Sequence, residues 1–183
     1  MSTKRIEKSK LYILDACIFI LGIGIDRVAK YFAIHYLKDR PSVSVISGIL
    51  ELRYLENTGA AFGLLKGQRS FIILVGIIIL LACLYVLVKT PGKKKYIMCH
   101  ILLTLIVAGA VGNLTDRVIY NYVVDFIYLS FIKFPIFNVA DIFITVATAV
   151  LVILLLFYYK EDDLNFLRFM EKKIETWINL RGL

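Results

Sequence analysis

The 183-residue sequence has only two histidines (His35 and His100), three cysteines and a single tryptophan. With no H-E-x-x-H arrangement, two histidines do not support a zinc site. The cysteines, Cys17, Cys83 and Cys99, all lie in apolar stretches. That excludes a disulfide framework and leaves them as expected small buried hydrophobes. No G-x-S-x-G nucleophile motif, Walker A loop or dinucleotide glycine pattern occurs. Acidic residues are the scarcer charge, 14 against 22 Lys and Arg, for a net charge of +8. The basic residues are not interleaved with aromatics on a soluble face, so nucleic acid is not the expected partner. What the chain does have is apolar mass. Hydrophobic residues make up 60%, above the roughly 45–50% of soluble domains, and mean hydropathy is +0.78. Disorder is excluded and a bilayer is the natural solvent.

Four apolar stretches approach the roughly 20 residues that a helix needs to cross the hydrocarbon. They predict spans at about residues 11–30, 71–88, 96–114 and 142–159. Backbone groups in lipid must be paired within the segment, so helices are expected. The first stretch follows a basic segment as a signal peptide does, but no small-residue cleavage site succeeds it, and it reads as a retained span. Basic residues cluster before Tyr12, in the link Lys89–Lys95 and after Tyr159, and these three segments hold 13 of the 22. By the positive-inside rule all three face the cytoplasm, with both termini. The expected organisation is one membrane-embedded domain over 1–159 and a cytoplasmic amphipathic tail over 160–183. The tail sets Leu164, Phe166, Leu167, Met170, Ile174, Trp177 and Ile178 among charges. In the first outer loop, Leu50, Leu52 and Tyr54 alternate with Glu51, Arg53 and Leu55. That period predicts a small β-sheet element, its apolar face toward lipid or substrate.

Charged groups at span depth are costly and ask for a reason. Asp26 and Lys30, with Gly22, share one face of the first span, and the four-residue spacing suits an ion pair. Asp15 is expected to be solvated near the inner end. On the third span Gly109, Gly112, Asn113 and Asp116 form one small-and-polar stripe ending at Arg117. The glycines permit close helix approach, and Asp116 is expected to pair with a cation. Two further acids have unusually apolar neighbours: Asp125 in Tyr122–Ile127 and Asp141 in Phe137–Ile142. Asn138 is a good N-cap for the fourth span, with Asp141 at its third helical position, so Asp141 alone could be a capping-box acid. Asp125 has no basic residue within seven positions on either side.

Two carboxylates meeting in a partly dehydrated site cannot both ionise easily, which leaves one acid and one base near neutral pH. Such a pair can activate a water and protonate an amide, with no covalent intermediate, metal or cofactor. A small four-span proton-coupled transporter, with Asp26 or Asp125 as its binding acid, is the alternative these residues leave open.

Five blocks in order resemble the bacterial lipoprotein signal peptidases (signal peptidase II). They are Asp26-Arg-Val-Ala-Lys30, Glu56-Asn-Thr-Gly-Ala-Ala-Phe-Gly63, Gly109-Ala-Val-Gly-Asn-Leu-Thr-Asp-Arg117, Val124-Asp-Phe126 and Phe137-Asn-Val-Ala-Asp141. The resemblance covers about residues 11–159, and Ala29 stands where that family commonly has Ser or Thr. It implies an all-α polytopic membrane aspartic endopeptidase with Asp125 and Asp141 as the catalytic pair. Asn57, Gly59, Asn113, Asp116, Arg117 and Asn138 would bind substrate or support the site, as would the pair Asp26 and Lys30. It further implies a diacylglyceryl-modified prolipoprotein substrate cut just before the lipidated cysteine, a monomer in membrane lipid, and inhibition by globomycin-type antibiotics. Phe62, Phe126 and Phe137 are candidates for the groove, although core or interface packing is the more ordinary account of each taken singly.

Overall fold

A computed structural model describes residues 5–59 and 68–167. Four helices and three strands follow one another: α1 (Lys8–Leu37), β1 (Val43–Ile46), β2 (Leu50–Asn57), α2 (Arg69–Lys89), α3 (Ile97–Ile119), β3 (Val123–Leu129) and α4 (Val139–Phe157). Each helix includes the stretch expected from hydropathy or most of it, and α1, α2 and α3 run on past it. Among the described residues, three helical segments have the length and apolarity to cross a bilayer: Arg69–Lys89, Lys94–Ile119 and Val139–Phe157. At 30 residues, α1 is long enough too, about 45 Å, but Asp15, Asp26, Arg27 and Lys30 interrupt its hydropathy.

The central helix is α3, against which α1, α2 and α4 all pack. Its buried face runs from Cys99 through Leu103, Val107 and Gly109 to Asp116. By contrast α2 buries none of its residues and has a mean hydropathy of 3.3 over its span. A helix apolar all round has lipid as its solvent. The stripe on α3 works by closeness. A Cβ on Gly109 would come within 2.6 Å of the Ala140 carbonyl, and one on Gly112 within 3.0 Å of the Asp26 carboxylate. Only hydrogen lets α4 begin where it does.

Helices α1 and α3 run parallel. At one end Ile6 N–H donates to the Gly92 carbonyl at 2.9 Å, and at the other Lys30 meets Asp116 at 2.7 Å. The end of α4 returns to the first of these, where the Tyr159 hydroxyl donates to the Lys95 carbonyl at 3.0 Å and the Tyr96 hydroxyl to the Asp163 carbonyl at 2.9 Å. The described parts of all three cation-rich segments therefore share one end of the bundle, and the sheet caps the other.

That sheet is antiparallel in the order β1-β2-β3. Gly48, at φ +71°, makes the tight turn between β1 and β2. The third strand comes from a segment read in sequence only as a loop with an apolar-flanked acid. The alternation on β2 is present, but Leu52 and Tyr54 pack against Ala33 and Leu37 of α1 and Val124 and Phe126 of β3, not against lipid or substrate. Phe126, 8% exposed, belongs to this core rather than to a groove. One irregularity sets which side chain stands opposite Val123. Leu52 pairs with Ile127 but Leu55 with Asp125, so Arg53 and Tyr54 together face Phe126 as a β-bulge. Had the register continued, Glu56 would occupy that place; the extra residue puts Asn57 there instead.

Two further expectations are corrected. Asp15 is buried, its carboxylate 2.9 Å from His100 Nδ1 and accepting from the Thr104 hydroxyl at 3.2 Å. Burial of a polar group is compensated there by partners on α3. Of the cysteines only Cys99 is buried, and Cys17 is exposed. Phe62 and most of the expected tail helix lie outside the described residues; the tail's described beginning is a 3₁₀ turn at Glu161–Leu164.

Candidate active site

The far edge of β3 builds the site. Phe137 pairs with Ile127, its N–H donating at 3.0 Å and its carbonyl accepting from Ile127 at 2.8 Å. This bridge delivers the next residue, Asn138, beside Asp125 and starts α4 there. Asn138 and Asp141 form a capping box: Asp141 N–H donates to Asn138 Oδ1 at 3.0 Å, and Asn138 N–H to Asp141 Oδ2 at 3.1 Å. The capping role foreseen for Asp141 is thus real. It also fixes the Asn138 amide, whose Nδ2 points at Asp125 Oδ1, 2.6 Å away.

Two more asparagines are oriented in the same manner. Asn57 accepts from Gly59 N–H at 2.9 Å through Oδ1, so its Nδ2 donates to Asp125 Oδ2 at 2.7 Å. Asn113 accepts from Lys30 at 2.9 Å, and its Nδ2 donates to Asp141 Oδ1 at 2.8 Å. Each of the four carboxylate oxygens on Asp125 and Asp141 therefore accepts a bond from an uncharged amide. No cation touches either acid among the described residues.

The cations are engaged elsewhere. Lys30, 3% exposed, donates to Asp116 (2.7 Å) and Asn113 (2.9 Å) and forms an ion pair with Asp26 at 2.8 Å. Arg27 joins the cluster by ion pairs to Asp116 and, at 3.0 Å, to Asp26, and by a bond to the Gly112 carbonyl at 3.1 Å. Two acids and two bases balance. Asp26 also accepts from Ala140 N–H at 3.1 Å, so α1 holds the first turn of α4 directly. Sequence reasoning missed Arg27. It stands between Asp26 and Lys30, but the i, i+1 spacing to Asp26 does not put the two side by side on a helix.

Asp125, Asp141, Asn57, Gly59, Asn113, Arg117 and Asn138 all line one cavity of about 710 Å³. Asp26, Lys30 and Asp116 lie behind it, reaching it through Asn113. The rest of its lining is largely apolar, with Leu129, Phe134, Ile136, Phe137, Ile142 and Val146. Burial, and after it the charge of Asp141, push the Asp125 carboxyl up to about 6, against the bonds from Asn57 and Asn138.

A raised carboxyl makes a stability signature. Its contribution is fully present below about pH 4, where folded and unfolded chains both carry the proton, and is lost as pH rises through about 6. The loss amounts to about 3 kcal/mol at neutral pH. Thermal unfolding in detergent should therefore show a Tm that falls between pH 4 and 7 more steeply in the parent than in Asp125→Asn. Parallel curves would contradict the raised value.

A family model described as signal peptidase (SPase) II matches residues 18–157. The chain is 40% identical over 153 residues to a lipoprotein signal peptidase of Clostridium tetani, covering 81% of this chain and 94% of that one. Against the corresponding protein of Clostridium novyi it is 38% identical over 146 residues, 78% and 97% of the two chains. Two solved structures, each described as a bacterial membrane enzyme, superpose with TM-scores of 0.74 and 0.71 at 32% identity. They cover 88% and 87% of this chain and 98% and 99% of theirs.

Proposed function

Because the chain belongs to the signal peptidase II family of membrane aspartic proteases, we propose that Asp125 and Asp141 share one proton and hydrolyse a diacylglyceryl-modified prolipoprotein just before its lipidated cysteine. In this cycle Asp125 enters with the shared proton and delivers it to the scissile carbonyl oxygen. Asp141 takes a proton from the attacking water. As the tetrahedral intermediate collapses, the proton gained by Asp141 passes to the leaving nitrogen and a hydroxyl of the intermediate returns its proton to Asp125, which restores the pair. Asn57, Asn113 and Asn138 keep both carboxyls oriented with neutral donors, so neither is locked in its ionised form by a contacting cation. Arg117 and Gly59 border the substrate backbone.

The observation that carries this reading is the cavity, which both acids line together with a largely apolar set of side chains. Ile142 and Val146 in that set are also 38% and 55% exposed on α4. Such a cavity suits a substrate whose acyl chains remain in lipid while its peptide bond meets water. We read α1 as a fourth span, the basic end of the bundle as cytoplasmic by the positive-inside rule, and the cavity as extracytoplasmic. The enzyme acts as a monomer in lipid, and globomycin-type cyclic peptides fill the same cavity.

The test is cleavage by the purified full-length protein in lipid, using a prolipoprotein with and without the diacylglyceryl group. Mass spectrometry should find one cut, directly before the lipidated cysteine, and only in the modified substrate. Cleavage elsewhere, or none, would refute the assignment.

A further inference from the structure

Arg69 is the first residue of α2, and it is poorly placed for that helix. A helix N-terminus carries partial positive charge, so a cation there is disfavoured, and α2 has no acid in its first turn to offset it. The guanidinium reaches across to the other helix end instead. Its Nε donates to the Arg117 carbonyl at 2.8 Å and an Nη to the Val118 carbonyl at 3.0 Å. Both carbonyls lie in the last turn of α3, which ends at Ile119. The last four carbonyls of a helix have no partner within it, and a cation is favoured there. Two successive carbonyls also match the forked donor geometry that arginine has and lysine lacks.

The residue held in this way holds the turn after β2. The Arg117 guanidinium donates to the Gly59 carbonyl at 3.1 Å, and Gly59 N–H donates to Asn57 Oδ1 at 2.9 Å. Asn57 in turn donates to Asp125 at 2.7 Å. An unbroken series of contacts joins Arg69 to the Asp125 carboxyl, although Arg69 does not line the cavity.

We propose that Arg69 is a positioning residue for the hydrolysis: by fixing the end of α3 it keeps Arg117 against Gly59 and so holds the Asn57 amide on Asp125. The proposal rests on the reading that Asp125 and Asp141 carry out the reaction. Loosening Asn57 removes a bond that favours the ionised carboxylate, so the titration of Asp125 moves to higher pH.

Arg69→Ala and Arg69→Lys, in the full-length protein in lipid, should be compared with the parent across pH on the diacylglyceryl prolipoprotein. For Arg69→Ala, kcat should fall on the order of tenfold or more with KM little changed. The alkaline limb of kcat/KM should move up by roughly half a pH unit. Arg69→Lys should recover part of both, and it carries the same comparison if Arg69→Ala does not accumulate. An Arg69→Ala enzyme with parental kcat, or one whose activity falls while its pH profile stays in place, overturns the proposal. Asp125→Asn separates the two layers. If that variant cleaves normally, the catalytic reading itself fails; if it is inactive while Arg69→Ala behaves as the parent, only the role of Arg69 does.

Discussion

Replacing either Asp125 or Asp141 by Asn is expected to lower prolipoprotein cleavage on the order of a thousandfold while leaving an inserted, folded protein. The expectation follows from how the two acids are held. All four of their oxygens accept bonds from uncharged amides, at 2.6–3.1 Å. An Asn side chain has the shape of the carboxyl and retains one acceptor, so the cradle largely survives. It can neither take a proton from water nor deliver one to the amide. Loss of activity with retained Tm would therefore report chemistry, not collapse. The transporter alternative makes a different forecast, since a carrier with Asp26 or Asp125 as its acid tolerates loss of Asp141. Near-parental cleavage by Asp141→Asn would remove the two-carboxylate mechanism.

The second large effect concerns stability. Lys30→Met should destabilise the fold by about 3–5 kcal/mol, the usual consequence of stripping one partner from a buried charge cluster. Asp26 and Asp116 are 1% and 3% exposed. Without Lys30 they face each other with only the half-exposed Arg27 between them. Asn113 would also lose the bond that sets its amide, and with it the orientation of Asp141. Unfolding in detergent should show a sharply lowered Tm for Lys30→Met. The double variant Lys30→Met with Asp116→Asn should recover part of it, because the surplus negative charge is gone. An unchanged Tm in the single variant would mean that the cluster contributes little to folding.

The acids of the site were legible because they were out of place: Asp125 among valines and aromatics with no cation near, Asp141 three residues into a helix behind a capping Asn. The Asp26–Lys30 pair was legible from spacing alone. What the sequence hid depends on contacts between distant segments. Asp15 looked solvated because its partners, His100 and Thr104, are 85 and 89 residues away. Arg27 reaches Asp116 across a similar distance. The strand β3 gave no period-two signal because Val123 to Phe126 are all buried, and a short apolar run does not distinguish strand from loop or helix. The bulge at Arg53 and Tyr54 contains no glycine or proline to announce it, yet it decides that an amide rather than a second carboxylate stands beside Asp125.

The uncharged cradle around the two acids has a pharmacological consequence. A transition-state mimic offering a hydroxyl to the pair needs one proton retained between the carboxyls, so its affinity should decline as pH rises past about 6. A mimic offering an amine supplies its own positive charge and prefers both carboxyls ionised, so its affinity should grow over the same range. Opposite slopes from two otherwise matched compounds would distinguish, from inhibition curves alone, which protonation state each one captures.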